Sequence, residues 1–217
     1  HSTMTQYLYL HGFASSPRSK KAQAFKQQFD RLGLPLQIPD LNQGNFSRLS
    51  LSRQIRQVQG LMSQSNDPFV LIGSSFGGLT AAWMAEQPGL QDQIEALVLL
   101  APAFQFLAQW LPRLGPDQLA AWQSEGTFAV FHYSEQRNLP LSYDFVKDAQ
   151  QYQDESLKQV VPTLVIHGIH DDVISVEASR AYATTRPWVT LVEMNSDHAL
   201  VDVQDKIWQH VQAFLDL

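Results

Sequence analysis

The most constraining stretch of the chain is Phe69-Val70-Leu71-Ile72-Gly73-Ser74-Ser75-Phe76-Gly77-Gly78. It is an apolar run that passes through small residues into the helix-forming Leu79-Thr80-Ala81-Ala82-Trp83-Met84-Ala85-Glu86. The pattern reads as strand, tight turn and helix, and Gly73-x-Ser75-x-Gly77 inside it has the form of a nucleophile elbow. In such an elbow a sharp turn lifts a serine above the carboxyl edge of a parallel sheet. A side chain at either flanking glycine would collide with the adjoining strand and helix, and the turn is expected to need backbone angles suited to a residue without Cβ. With 11 Gly in the chain, chance alone supplies such a pattern in roughly one sequence in twenty, so its meaning depends on what the rest of the chain provides.

Composition narrows the field. At 217 residues the chain suits one domain with a sizeable core. No apolar run reaches the roughly 18 residues that a membrane span requires, so no transmembrane segment is expected. A net charge of −6, with 15 scattered basic residues, argues against nucleic acid as a partner, because phosphate binding needs concentrated Lys and Arg. The densest basic patch, Arg18-Ser19-Lys20-Lys21, reads as the solvated start of a helix. Cys is absent, which removes disulfides, thiolate catalysis and Cys-bearing metal sites, so a covalent nucleophile must be an oxygen or nitrogen group. His1-Ser2-Thr3 before Met4 reads as an expression scar.

Along the chain, strands alternate with amphipathic helices. Gln6–Leu10 is a β-prone run ended by His11-Gly12-Phe13-Ala14-Ser15-Ser16-Pro17. Ser19 to Leu32 carries Ala22, Phe25, Phe29 and Leu32 at helical spacing, and Ser47 to Met62 carries Leu51, Ile55, Val58 and Met62. Leu36 to Pro39 is a second short strand. Ile94 to Leu100 is nearly all apolar, as a parallel strand covered on both faces should be. Further strands are expected at Val161 to His167 and Trp188 to Met194, with helices near Val176 to Thr184 and Val203 to Leu215. The fold class is therefore α/β, a doubly wound, mostly parallel sheet.

One stretch breaks the rhythm. Between Ala101 and Gln153 the chain is punctuated by Pro102, Pro112, Gly115, Pro116 and Gly126, with only Phe128 to Tyr133 suggesting a strand and Tyr143 to Tyr152 a helix. It holds 10 of the 23 aromatic residues in 53 positions, almost twice its proportional share. An insertion after that strand would lie at the carboxyl edge of the sheet, over the elbow. It reads as a cap lining an apolar pocket, with most of its aromatics expected in the cap's own core. The expected organisation is a core of residues 4–100 and 154–217 with a cap at 101–153.

A serine hydroxyl needs a base to take its proton and a third group to orient the base. His198, in Asn195-Ser196-Asp197-His198, directly follows the last strand and precedes the last helix, where a base would reach over the sheet edge. His210 lies within the final helix and reads as a surface residue; His132 belongs to the cap. For the acid, the strand Thr163 to His167 runs into Gly168-Ile169-His170-Asp171-Asp172, with Asp171 preferred and Asp172 the alternative. The order Ser75, Asp171, His198 is that of the α/β-hydrolase fold. A rival grouping of His167, His170, Asp171 and Asp172 as metal ligands has no further ligand cluster to support it, and His167 is expected to pack at the strand end. Oxyanion stabilisation would come from the backbone N–H of Phe76, after the nucleophile, and of Phe13, after the first strand. Ser15, Ser16 and Ser74 read as ordinary turn residues.

With Leu10-His11-Gly12-Phe13-Ala14-Ser15-Ser16-Pro17, Gly73-Ser74-Ser75-Phe76-Gly77-Gly78, His167-Gly168-x-x-Asp171 and Asp197-His198 in this order, the chain resembles the α/β-hydrolase superfamily, and within it the small YqiA-like serine esterases. The resemblance implies a cytoplasmic carboxylic-ester hydrolase without metal or organic cofactor, using a Ser75, Asp171, His198 triad. His11-Gly12-Phe13 stands where many lipases have a Gly-rich oxyanion loop, which argues against a true lipase. There is no room for the antiparallel hairpin that opens the full-length fold, so about six strands are expected. The substrate expected is a small-molecule ester of a small or medium acyl group. An acyl-thioester cleaved by the same triad is the alternative, as is a non-catalytic protein that holds an apolar ligand.

Overall fold

The computed structural model describes residues 4–217, so the three residues read as an expression scar lie outside it. The chain runs β1 (Gln6–Leu10), α1 (Lys20–Arg31), β2 (Leu36–Gln37), α2 (Leu51–Met62), β3 (Phe69–Ser74), α3 (Phe76–Met84) and β4 (Ile94–Leu100). After β4 come α4 (Phe106–Leu114), α5 (Pro116–Glu125), the strands β5 (Thr127–His132) and β6 (Arg137–Ser142), and α6 (Asp144–Ala149). The core resumes with β7 (Thr163–Gly168), α7 (Val176–Thr184), β8 (Val189–Met194) and α8 (Gln204–Leu215).

Six strands pair in the order β2-β1-β3-β4-β7-β8, every neighbouring pair parallel. This is the doubly wound sheet of about six strands that the sequence predicts. Alternation within each strand sorts the core into two layers. Leu8, Leu10, Leu71, Leu97, Leu99 and Val165 point to the face covered by α2, α3 and α7. Tyr9, Val70, Ile72, Val98, Leu164 and Ile166 point to the face covered by α1 and α8, where they meet Phe25, Phe29, Ile207 and Val211. α3 lies at the centre and every one of its residues is buried, which accounts for its lack of a polar face.

The strand order reverses between β1, which leads outward to β2, and β3, which begins the march to the other edge. In open α/β sheets the crevice outside the carboxyl ends at such a reversal is where ligands bind. Leu10 at the end of β1 is in register with Gly73 near the end of β3, so the loop after β1 and the turn after β3 meet there.

The segment between β4 and β7 holds more regular structure than expected. Thr127–His132 is a strand and Asp144–Ala149 a helix, close to the expected positions, but α4, α5 and β6 are additional. Proline accounts for the difference. Pro112 sits inside α4 and Pro116 opens α5, the latter at the one turn of a helix where the missing N–H costs nothing. Pro140 lies in β6, a strand paired on one side only, where proline is tolerated.

Candidate active site

β3 ends in Ser74, and Ser75 turns the chain into α3 with φ 55° and ψ −116°. A non-glycine residue in that region is strained by about 1–3 kcal/mol and persists only where its surroundings hold it. Here the Ser75 N–H donates to the Leu100 carbonyl at 2.9 Å, and the Ser75 carbonyl accepts from Ala103 N–H at 3.0 Å. Neither Gly73 nor Gly77 has a positive φ, so the expectation that the flanking glycines supply unusual backbone angles is corrected: Ser75 takes them. The glycines permit close approach. A Cβ at Gly73 would overlap the Gly77 carbonyl, and one at Gly77 would overlap the Leu10 carbonyl.

The structure brings Ser75, His198 and Asp171 together. His198 Nδ1–H donates to Asp171 Oδ2 at 2.7 Å, which leaves Nε2 to accept from the Ser75 hydroxyl at 3.2 Å. The Asp171 side chain is 0% exposed and that of His198 is 23% exposed, so the carboxylate is sealed while the imidazole still faces the cavity. Asp172 is exposed, and its backbone carbonyl accepts from Arg113; the structure brings Asp171, not Asp172, to the histidine.

Asp171 is held from every side. Its Oδ1 accepts from the N–H groups of Val173 and Ile174 at 2.9 and 2.8 Å, closing a turn that aims Oδ2 at His198. Burial would raise its pKa, but hydrogen bonds from His167 and His198, the charge of His198 and the Ile174 amide outweigh it and hold the carboxyl well below the usual carboxylate range. His167 is fully buried at the end of β7, as expected, and takes a part the sequence reading missed. Its Nε2–H donates to the Ile174 carbonyl at 2.8 Å and approaches Asp171 Oδ2 at 3.1 Å, while Nδ1 accepts from the Ser179 hydroxyl at 2.7 Å. The spacing His167-x-x-x-Asp171 was the available signal. His170 is exposed and contacts Asn195 Oδ1 instead, so the four residues of the rival metal grouping do not converge. His210 is exposed on α8, and His132 is buried against Phe46.

Across the strand reversal, the loop after β1 lies against the elbow: a Cβ at Gly12 would sit 3.5 Å from Ser75 Cβ. Buried His11 shapes this loop. Its Nε2 accepts from Leu41 N–H at 2.9 Å, so its Nδ1 carries the hydrogen that it donates to the Gly12 carbonyl at 2.9 Å. Phe13 follows, its ring packed against Phe46, Phe106, Trp110 and Phe145. Phe76 opens α3, whose positive end therefore points toward Ser75.

A cavity of about 700 Å³ lies over these groups, with Gly12, Phe13, Ser75 and His198 in its wall. Five of the ten aromatics between residues 101 and 153 also line it: Phe106, Trp110, Phe128, Phe131 and Tyr133. Phe104, Trp122 and Phe145 are fully buried. More of these rings therefore face the cavity, and fewer form a separate core, than expected. Trp122 belongs to the same buried layer as α2 and α3 and meets Trp110 and Tyr143 edge-on and Phe128 at a tilt, with its indole N–H donating to the Leu141 carbonyl at 2.9 Å.

The basic patch also departs from expectation. Arg18 and Lys20 are exposed, but Lys21 turns inward and donates to Ser74 Oγ at 3.0 Å. The helix begins one residue before Lys21, with Ser19 as its N-cap, so Lys21 leaves the first turn on the side that faces the sheet edge.

Residues 6–215 match the uncharacterised protein family UPF0227. The chain belongs to that family. Solved structures whose titles name alpha/beta hydrolases, an esterase and a lipase share the fold of the UPF0227 chain, which is the fold that the resemblance implies. Mouse alpha/beta hydrolase domain-containing protein 10 is 19% identical with a TM-score of 0.82, over 99% of this chain and 90% of its own. Est1E from Butyrivibrio proteoclasticus, with ferulic acid bound, is 20% identical with a TM-score of 0.78, over 99% and 91%. The monoacylglycerol lipase of Paleococcus ferrophilus is 15% identical with a TM-score of 0.78, over 97% and 93%. No curated protein sequence matches the chain. Among the described residues no helix is long and apolar enough to cross a membrane.

Proposed function

We propose that the chain is a serine esterase that cleaves carboxylic esters of small or medium acyl groups through an acyl-enzyme. The observation that carries this reading is the hydrogen-bonded line from Ser75 Oγ through His198 to sealed Asp171. As an ester carbonyl enters the cavity, Ser75 Oγ attacks its carbon while His198 Nε2 takes the hydroxyl proton. Asp171 keeps the imidazole in the tautomer that can do so and stabilises the imidazolium that forms. The carbonyl oxygen becomes an oxyanion, and the amides of Phe13 and Phe76 are the donors assigned to it, at the reversal where the loop after β1 meets the elbow. Collapse expels the alcohol, protonated by His198. Water then attacks the acyl-enzyme with His198 again as base, releasing the acid and restoring Ser75.

The cavity volume is in the range of pockets that enclose small ligands, which supports a small or medium acyl group. Placement in the cytoplasm is part of this reading and rests on the family resemblance. The test is a fluorophosphonate probe together with p-nitrophenyl esters and acyl-thioesters of graded chain length. Labelling that disappears in Ser75→Ala, with ester turnover that disappears in His198→Ala, is expected. Equal labelling of the Ser75→Ala protein overturns the assignment, and faster turnover of the thioesters moves the bond type to thioester.

A further inference from the structure

The cavity above Ser75 differs in charge from the rest of the protein. The chain carries 21 Asp and Glu against 15 Lys and Arg, yet the cavity wall includes Lys20, Lys21 and Arg113 and, among the described residues, no carboxylate. Lys20 and Arg113 stand exposed at its rim. Lys21 is different: its ammonium reaches Ser74, the residue before the proposed nucleophile, and spends one of its three hydrogens on the Ser74 hydroxyl. Asp171 and Asp197 act on it through space, and neither forms an ion pair with it. An ammonium drawn inward without an anionic partner is costly, and a protein ordinarily compensates such a charge by pairing it. The lining also includes the apolar rings of Trp110, Phe128 and Phe131.

We infer that Lys21 is a specificity-determining residue, and that the substrate is an amphipathic ester whose apolar body lies on these rings and whose anionic group, a carboxylate or phosphate, pairs with the Lys21 ammonium. The inference rests on the esterase reading and deepens it by naming the substrate class. Burial lowers the Lys21 pKa to about 8, against the opposing pull of Asp171 and Asp197, so the side chain is still mostly charged at neutral pH and available to an anion. A lysine serving only to tether α1 to β3 through Ser74 would need neither the cavity beside it nor the absence of carboxylates from that cavity's wall.

The charge can reside on either half of the ester, and two matched pairs of substrates separate the cases. Mono-4-nitrophenyl glutarate against 4-nitrophenyl pentanoate places it on the acyl side. 4-Butyryloxybenzoate against its methyl ester places it on the leaving-group side. The wild-type protein is expected to favour the anionic member of one pair by about tenfold or more in kcat/KM. That ratio should fall toward one in Lys21→Met and persist in Lys21→Arg. Wild-type ratios near one in both pairs, or an undiminished ratio in Lys21→Met, overturn the inference. Titration calorimetry of 4-phenylbutanoate against 4-phenylbutanol, on the wild-type and Lys21→Met proteins, reads the same preference without turnover. If no ester is hydrolysed but the carboxylate binds tighter and loses its advantage in Lys21→Met, the esterase reading fails while the anion site stands. Equal binding of acid and alcohol by the wild type overturns the site.

Discussion

His167 Nε2 lies 3.1 Å from Asp171 Oδ2, the same oxygen that accepts from His198 Nδ1 at 2.7 Å. One carboxylate oxygen is thus shared by two imidazoles, one facing the cavity and one sealed in the core. In the proposed mechanism His167 is a positioning residue. Replacing it with Leu removes a charge-assisted hydrogen bond and leaves the Ser179 hydroxyl without its partner, so stability should fall by about 2–3 kcal/mol. Urea unfolding measures this. The same change should lower kcat for a p-nitrophenyl ester by about tenfold with little change in KM, since its effect is on the base and not on substrate binding.

Ser75→Ala and His198→Ala should each reduce kcat/KM by about three to four orders of magnitude or more, and the double variant should be scarcely worse than either, because the groups act as one unit. Asp171→Asn should approach the same loss through the wrong imidazole tautomer. Independent, additive losses would mean that the serine and histidine do not share a step.

The acid limb of stability should carry the signature of Asp171. Its folded pKa is held below the unfolded value, so the native state binds fewer protons than the unfolded one in the acid range. The stabilisation is present above about pH 4 and is lost as pH falls through the folded value. Thermal melting between pH 6 and pH 2 should therefore show a shallower decline in Asp171→Asn than in the wild type. Parallel declines would contradict this.

Gly168 ends β7, and a Cβ there would overlap the Ser196 carbonyl in the loop that carries His198. Gly168→Ala must push that loop away, and the Ser75–His198 contact is already 3.2 Å. Activity should fall by about 100-fold, as expected for a displacement near 1 Å. A probe label on Ser75 slowed to a similar degree would tie the loss to the base rather than to unfolding.

Trp122 is fully buried with a satisfied indole N–H. Trp122→Ala should cost about 3–5 kcal/mol in urea unfolding and should raise KM for apolar esters, because Trp110 and Phe128, which line the cavity, pack directly on it.

The six-strand sheet was legible because its signals are local: apolar runs, helical spacing and small residues between them. The elbow, His198 and Asp171 were legible because the fold puts them in loops that directly follow strands. What stayed hidden was of two kinds. Pro112, Gly115, Pro116 and Gly126 read as breaks, yet Pro112 lies inside α4, Pro116 opens α5, and Gly115 and Gly126 stand at the ends of these helices, so α4 and α5 were missed, and the short, largely polar β6 with them. His167 and Lys21 were undervalued because their partners are remote or ambiguous in sequence: Ser74 is 53 residues from Lys21, and a buried histidine looks the same whether it fills space or holds a carboxylate.

The hairpin β5–β6 is fastened to the loop that carries Phe13. Tyr133 N–H donates to the Ala14 carbonyl at 2.9 Å, and the Ser134 hydroxyl donates to Ser16 Oγ at 2.7 Å. Any outward swing of the hairpin that widens the cavity mouth must therefore either break these bonds or drag Ala14, one residue from the Phe13 amide. In the proposed mechanism, admission of a bulky substrate and stabilisation of its developing charge would therefore be mechanically linked, and size selection would act on turnover even for esters that fit.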